Sequence, residues 1–519
     1  MKQLIKSFGD SIIGVLSGFD RIVFQGRIVP IGYQGGAEGF FSRRRILFKD
    51  ASSWVQEKTR KLVSAVEAWS LRECGEKITF LRSPKARKDV LVRQRQQDKE
   101  ISSGPIGVWA CVEPCLSFKL APGEHGPRLL PTWTQCKHLY LYLDHPEYGF
   151  MSVRMQTWFP YLIQIAMNGR EWLARQLEHA GIAFQRCGNK LLHIDDFEAA
   201  QQLLDQQLKT NWCSLLDGFV PIAFPTITET IGRELNYSWT LWQSEWATDL
   251  VFANQTELEK IMSTCVQHAF IGGHPSRLLS YFSRPLTKAG LPWVNCSSSL
   301  KSTIKEYVEG VRVRHWVDTN SIKMYNEFNV LRLETTINDP GVLRGLRRKH
   351  KAPVTATKES LPLRKSVADT TLRAHACQQI NNRFADHLAS MHSSTPVGDV
   401  IALVTQRKRK RRRSVRALEP TAKDRDLLTA IADPRFIVGG LSNKDLRELL
   451  ANTGRYLGKT DKQRSGITSR SIRLLRDHGV LRKLPKRRRY QLTSKGRQLV
   501  TAIQAALAAS TEELMAKAA

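Results

Sequence analysis

The chain has 519 residues, 42% of them hydrophobic, with a formal net charge of +31 and a pI near 10.0. That length predicts two to four domains, and the apolar fraction supplies a core and excludes wholesale disorder. So large a cationic excess calls for an anionic partner; no run of about 18 apolar residues offers a membrane span, which leaves nucleic acid as the expected partner and excludes the bilayer.

The N-terminal stretch MKQLIKSFGDSIIGVLSGFDRI has Asp10 and Asp20 bracketing its apolar part and reads as an amphipathic helix, neither export signal nor span. The nine cysteines form no even framework, so reduced thiols and a cytoplasmic setting are expected. Cys111-x-x-x-Cys115 is the one close pair and lacks the second pair that a zinc site needs. Asp50 to about Cys74 predicts a long helix that Gly75 stops, and Lys77 to Leu81 a strand. From Lys137 to Leu143 the pattern alternates, with His138, Tyr140 and Tyr142 on one face and Leu139, Leu141 and Leu143 on the other. Strands over Phe150–Thr157 and Tyr161–Met167 follow, then a helix over Glu171–Ala180 stopped by Gly181. Tyr237 to Phe252 carries three tryptophans, read as core, with Glu245 and Asp249 in reach of each other. Val311 to Thr336 predicts an antiparallel meander of three strands. One face is apolar and includes His315; the other carries Arg312, Arg314, Lys323, Tyr325, Arg332 and Glu334, read either as a solvated ion-pair ladder or as a metal-assisted phosphodiester site.

Charge and aromaticity then part company. All twelve tryptophans lie between Trp54 and Trp316, whereas Gly341 onward holds 39 Lys and Arg against 14 Asp and Glu, +25 of the total +31. Arg407, Lys408, Arg409, Lys410, Arg411, Arg412 and Arg413 are consecutive cations, expected to form a solvated linker that tracks phosphate. Beyond it, Asp424–Ala432 reads as a helix, and Ser442 opens a second with a capping-box start. Thr468 caps a third helix over Ser469–His478 that Gly479 ends. Two short strands flank a basic tip, and Thr493 caps a last helix from Ser494 to about Ala509. In that third helix Ile472 and Leu475 face the core while Ser469, Arg470, Arg473 and Arg476 project elsewhere; Lys486, Arg487, Arg488 and Arg489 form the tip.

Helix, helix, helix, basic hairpin, helix is the order of a winged helix, and Arg489-Tyr-Gln-Leu-Thr-Ser-Lys-Gly-Arg497 resembles the wing exit of the MarR-type winged-helix families. The resemblance implies a slim helix in the major groove and a cationic wing along the backbone. Lys323-Met-Tyr325 with Leu331-Arg-Leu-Glu334 is similar to a hairpin of rolling-circle replication initiators, though their metal-binding His-hydrophobic-His is replaced here by His138-Leu-Tyr140. The whole chain resembles a large group of bacterial proteins without assigned activity, through Gly149–Pro160, Asn168–Leu177, Gln243–Asp249 and the Asn320–Thr336 meander.

The expected fold is α+β: a mixed α/β body with antiparallel meanders (1–130 and 131–340), a helical and basic linker (341–419) and a winged helix-turn-helix (420–519). Two functions compete. One is a transcriptional-regulator-like protein that reads duplex DNA, with a body free to hold RNA or single-stranded DNA, and with assembly as a homodimer left open. The other is a mobile-element enzyme, transposase or replication initiator, that cuts a strand with Mg²⁺ or Mn²⁺. For the enzyme the candidates are Glu334 and Asp249 as metal ligands, Lys323 as charge stabiliser, Tyr325 or Tyr140 as nucleophile, and His138 beside Tyr140.

Overall fold

The computed structural model describes residues 1–508 except 2–3, 6–7, 125, 272–274, 284–299, 308–309, 350–352, 354, 390–396, 411–412, 434–435, 437–439 and 485–487. The fold is mixed α/β and divides into two units: a larger one of Gly14–Val251 with Glu334–Gln378, and a second of Met1–Ile13, Phe252–Leu333 and Gln379–Ala519. No described helix is long and apolar enough to cross a membrane.

The larger unit is built on β1 (Ile12–Arg27), β2 (Thr79–Phe80), β3 (Gly104–Ala121), β4 (Arg128–His145), β5 (Gly149–Gln156), β6 (Ile163–Asn168) and β9 (Ser238–Phe252), ordered β9-β1-β6-β5-β4-β3-β2; β7 (Phe184–Cys187) and β8 (Lys190–Ile194) form a separate hairpin. The pairs β1–β6, β5–β6, β4–β5 and β3–β4 are antiparallel and β2–β3 is parallel. The long helix is Ala51–Cys74, ended by Gly75 at φ 71° as its sequence predicts. Tryptophans 239 and 246 are buried in the core.

The apolar part of the N-terminal stretch is not helical, although Leu4, Ile5 and Phe8 before it are. A strand starts at Ile12 instead, rich in β-branched residues. Its glycines are contact points, not breaks: a Cβ on Gly14 would come within 2.4 Å of the Phe197 ring, and one on Gly18 within 2.7 Å of Leu204. Both residues lie on the Phe197–Gln207 helix, so a spacing of four, which suits one helix face, here marks one strand face pressed on a helix.

The second unit contains β10 (Leu300–Tyr307), β11 (Gly310–Val317), β12 (Asn320–Glu327) and the first half of β13 (Val330–Ile337), as far as Leu333. The expected face assignment holds, with Val313 opposite Met324 and Arg314 opposite Lys323, and His315 is buried on the apolar face. The expectation of a solvated polar face fails on β13, where Arg332 and Glu334 are fully buried. In the larger unit a hairpin follows, β14 (Arg344–Arg347) with β15 (Glu359–Pro362).

Among the described residues of the C-terminal segment, helices run over Arg425–Ile431, Asn443–Leu449, Asp461–Asp477 and Ser494–Ala508, with β18 (Leu481–Lys483) paired to β19 (Tyr490–Leu492) between the last two. Ser442 closes a capping box with Asp445, and Thr493 receives the Gly496 N–H at 3.0 Å. Thr468 is not a cap. The third helix begins seven residues earlier at Asp461, capped by Thr460, and the buried Thr468 donates to the Arg464 carbonyl at 2.8 Å within that helix. A threonine hydroxyl serves either purpose, and the sequence did not discriminate. Arg407–Arg413 is also not a plain linker: Lys408–Lys410 (β16) pairs with Arg413–Val415 (β17). Val400, Val404, Val415 and Leu418 are buried around it, and all but Val415 share one core with Leu427, Ile472, Leu475 and Ile503. That core therefore begins well before residue 420.

A candidate metal centre on neighbouring strands

Three contacts fix how β1 lies on β9. Ser17 Oγ meets Thr248 Oγ1 at 3.1 Å, the Phe19 and Trp246 rings are 5.0 Å apart, and Thr240 Oγ1 donates to the Gln25 carbonyl at 3.0 Å. These pairs share one antiparallel register, which sets Asp20 opposite Glu245. β13 borders β9 on its other side. Among the described residues, Asp20, Glu245 and Glu334 form a group whose ligand oxygens all lie within 4.8 Å of one another. Asp20 is 6% exposed, Glu334 0%, and Glu245 is half-buried.

Like charges this close repel. At 4.8 Å and an effective dielectric of about 20, each ionised pair costs ~3.5 kcal/mol, or ~10 kcal/mol for three pairs. Such a group holds together through a proton, a bound cation or the partners these side chains have elsewhere in the protein. The oxygen set fits a small hard cation: Mg²⁺ binds oxygens at about 2.1 Å, so ligands across one ion are roughly 4.2 Å apart. Neighbouring side chains position the triad. Asn189 Nδ2 donates to Asp20 Oδ1 at 3.0 Å, and Asn168 Nδ2 donates to Asn189 Oδ1 at 2.8 Å. Asn168 is itself the N-cap of the Gly169–His179 helix, accepting from the N–H groups of Arg170 and Glu171. Between cap and helix, Gly169 lies so close to β1 that a Cβ there would sit 2.2 Å from the Phe19 carbonyl oxygen.

The sequence candidates fall in different places. Glu334 is in the triad. Asp249 is not; it pairs with Arg170 at 3.0 Å, each 1% exposed, and Arg170 also donates to the Ala247 carbonyl at 3.1 Å. The expected proximity of Glu245 and Asp249 does not hold, because four residues along an extended strand span about 13 Å. His138 and Tyr140 lie on β4, with β6 and β5 between it and β1. Tyr140 donates to both oxygens of Glu113 at 2.7 Å, and Lys88 and Arg154 complete that cluster. Burial would raise Glu113, but the hydrogen bonds from Tyr140 and Cys111 and the Arg154 charge outweigh it and hold the carboxyl at about 2. Burial, with Glu113 adding to it, drives the Tyr140 phenol well above its ordinary value, which makes it a poor nucleophile. His138 is buried and pushed down to about 4, first by burial and then by Arg154. Lys323 and Tyr325 belong to the second unit, opposite Arg314 and Arg312 on β11.

Of the predicted cationic surface, Arg470, Arg473 and Arg476 are exposed on the Asp461–Asp477 helix, as is Ser469, which accepts from Asn443 Nδ2 at 2.9 Å. Arg488 is exposed, whereas Arg489 binds the Gly440 carbonyl at 2.8 Å and Asp445 at 2.7 Å and so braces the hairpin. Arg407 and Arg409 are exposed, Lys408 is half-buried, and Lys410 and Arg413 lie on their paired strands. Arg411, Arg412, Lys486 and Arg487 lie outside the described residues.

No protein-family model, no curated protein and no solved structure matches this chain. The site therefore stands on its geometry. Sequence reasoning missed Asp20 and Glu245 as ligands, yet each leaves a signal: a carboxylate inside a largely apolar strand, alone in GFDRIVF and together with Asp249 in WQSEWATDLVF.

Proposed function

We propose that this protein is a metal-dependent DNA strand-processing enzyme whose C-terminal segment is a winged helix docking on duplex DNA. The observation that carries the reading is the convergence of Asp20, Glu245 and Glu334 from three neighbouring strands to within 4.8 Å. Bound there, a divalent cation supplies Lewis acidity toward a phosphodiester oxygen and lowers the pKa of a coordinated water. The chain's own residues do the rest. Asp20 and Glu334 offer buried, pre-oriented oxygens, so little reorganisation is needed as charge develops at phosphorus. Asn189 keeps Asp20 turned toward the site. Glu245, the most exposed of the three, stands where solvent or substrate enters and can take the proton from an attacking water. The oxygen–phosphorus bond forms as the bond to the departing sugar oxygen breaks.

Support for the DNA partner comes from charge. Residues beyond Gly341 carry +25, and Arg470, Arg473 and Arg476 are exposed along one helix that precedes the β18–β19 hairpin. Cations in that order suit a groove-reading helix and a backbone-following wing.

The test is incubation of the full chain with single- and double-stranded DNA, with and without Mg²⁺ or Mn²⁺. Strand cleavage that needs metal and disappears in Glu334→Gln and in Asp20→Asn is expected. DNA binding without cleavage in every metal condition rejects the enzyme and leaves a regulator.

A further inference from the structure

Residues 344–365 hold eight Lys and Arg against one acid, Glu359. This cationic stretch belongs to the larger unit and begins ten residues after Glu334. The β14–β15 hairpin pairs Arg344 with Pro362 and Arg347 with Glu359, so that the strand cations lie on β14 and the others flank the two strands in sequence. Beside it opens a cleft of about 430 Å³ lined by Arg347, Arg348, Lys349, Lys358, Arg364 and Asp369, with Leu346 and Leu372 as apolar wall.

The one carboxylate in the lining is already engaged. Asp369 is 2% exposed and accepts from Arg364 at Nη2 (2.7 Å), Nε (3.1 Å) and the backbone N–H (2.9 Å). Burial alone would raise its carboxyl; the Arg364 hydrogen bonds and charge overcome that and hold it below the ordinary range. Arg347 is fixed from the other side, donating to the Pro362 carbonyl at 2.8 and 3.1 Å and standing 3.8 Å from Asp369. Two arginines are thus braced against one buried acid. Arg348, Lys349 and Lys358 are exposed at the rim. Arg348 is steered by its Nε donating to the Ala356 carbonyl at 2.9 Å. Lys349 meets Glu359 at 3.2 Å, but with both side chains at least half exposed that pair is weak and easily exchanged for a stronger anion.

We propose that this hairpin and its cleft grip the phosphate backbone of the polynucleotide that the carboxylate centre processes. The inference rests on the proposed function for the identity of the strand. It extends that reading by giving the larger unit its own phosphate contact, separate from the C-terminal segment. Cations spread along β14 and over Arg348, Lys349, Lys358 and Arg364 match a polymer of phosphates better than a single small anion, which a closed pocket would enclose.

The experiment uses the full chain in EDTA, so that binding is read apart from cleavage. Lysines are acetylated with and without a 30-nucleotide single strand, the matching duplex, or inorganic phosphate, and modification is mapped by mass spectrometry. Protection of Lys349 and Lys358 by an oligonucleotide but not by phosphate is expected, with the two DNA forms showing which backbone is held. In Arg348→Ala/Lys349→Ala/Lys358→Ala the slope of log affinity against log salt should fall by about 2 for single strands or about 3 for duplex. The metal-induced melting shift of that variant should stay at the wild-type value, which shows that it is folded. Equal acetylation with and without DNA overturns the proposal, as does equal protection by inorganic phosphate. Absence of cleavage in metal leaves the protection result intact and counts against the enzyme alone.

Discussion

Replacing Glu334 by Gln tests the carboxylate triad without changing its shape. In the metal-free protein Glu334 has two carboxylates whose oxygens lie within 4.8 Å of its own, worth roughly 7 kcal/mol of repulsion at an effective dielectric near 20 before the partners these side chains have elsewhere in the protein offset it. The wild type can escape by binding a proton. At pH 7.5 that escape costs about 4 kcal/mol for a carboxyl of ordinary pKa, so no more than this can be recovered by substitution. Glu334→Gln should therefore raise metal-free stability by roughly 2–4 kcal/mol, or about 4–8 °C in melting temperature. With metal the order reverses. At 100 times its dissociation constant, a cation that binds the folded wild type adds about 2.7 kcal/mol, and the variant lacks a ligand and gains little. Thermal melts in EDTA and in Mg²⁺ or Mn²⁺ measure both. A variant less stable than wild type in EDTA refutes the reasoning, because the three carboxylates would then be compensated by the protein itself.

Three further outcomes follow from the same geometry. Arg170→Met leaves Asp249 buried without the guanidinium 3.0 Å away and should cost roughly 3–5 kcal/mol by denaturant titration; adding Asp249→Leu should restore most of it, and a double variant as weak as the single one contradicts the pairing. His138 and His315 are buried and pushed down to about 4. An unfolded histidine titrates near 6.5, so the unfolded chain binds more protons than the folded one between about pH 6.5 and 4. Each histidine therefore withdraws stability as pH falls through that window, by ~3 kcal/mol in full. Urea midpoints at pH 7.5 and 5 in wild type and His138→Gln measure this, and an unchanged pH slope rules His138 out as a source. Arg470→Ala with Arg473→Ala should weaken binding to a preferred DNA site by roughly 1–3 kcal/mol per lost base contact, read by gel shift at fixed salt; wild-type affinity would exclude that helix as the reader.

Much of the framework was legible because its signals are local. Alternation alone located β4, β5, β6 and the β11–β13 meander, and Gly75, Gly181 and Gly479 mark helix ends with positive φ. What failed was decided by distant contacts. Gly14 and Gly18 look like one face of a helix until Phe197 and Leu204 are seen pressed on them. Thr468 has the chemistry of a cap, but the chain turns helical earlier, at the capping box of Thr460 and Gln463. For the site, the meander nominated Glu334, while Asp20 and Glu245 are far apart in sequence and meet only through the β1–β9 register. Asp249 was the plausible second ligand by spacing, yet its neighbour is an arginine from another element. Strand order is not written in any one segment, and the site depends on strand order.

The most direct measurement is anomalous diffraction from crystals of the wild type soaked in Mn²⁺. The account predicts a peak within about 2.2 Å of carboxylate oxygens from Asp20, Glu245 and Glu334, and no such peak in Glu334→Gln. Crystals saturated with Mn²⁺ that show no density there, with the carboxyl groups hydrogen-bonded to one another through a shared proton, would contradict it.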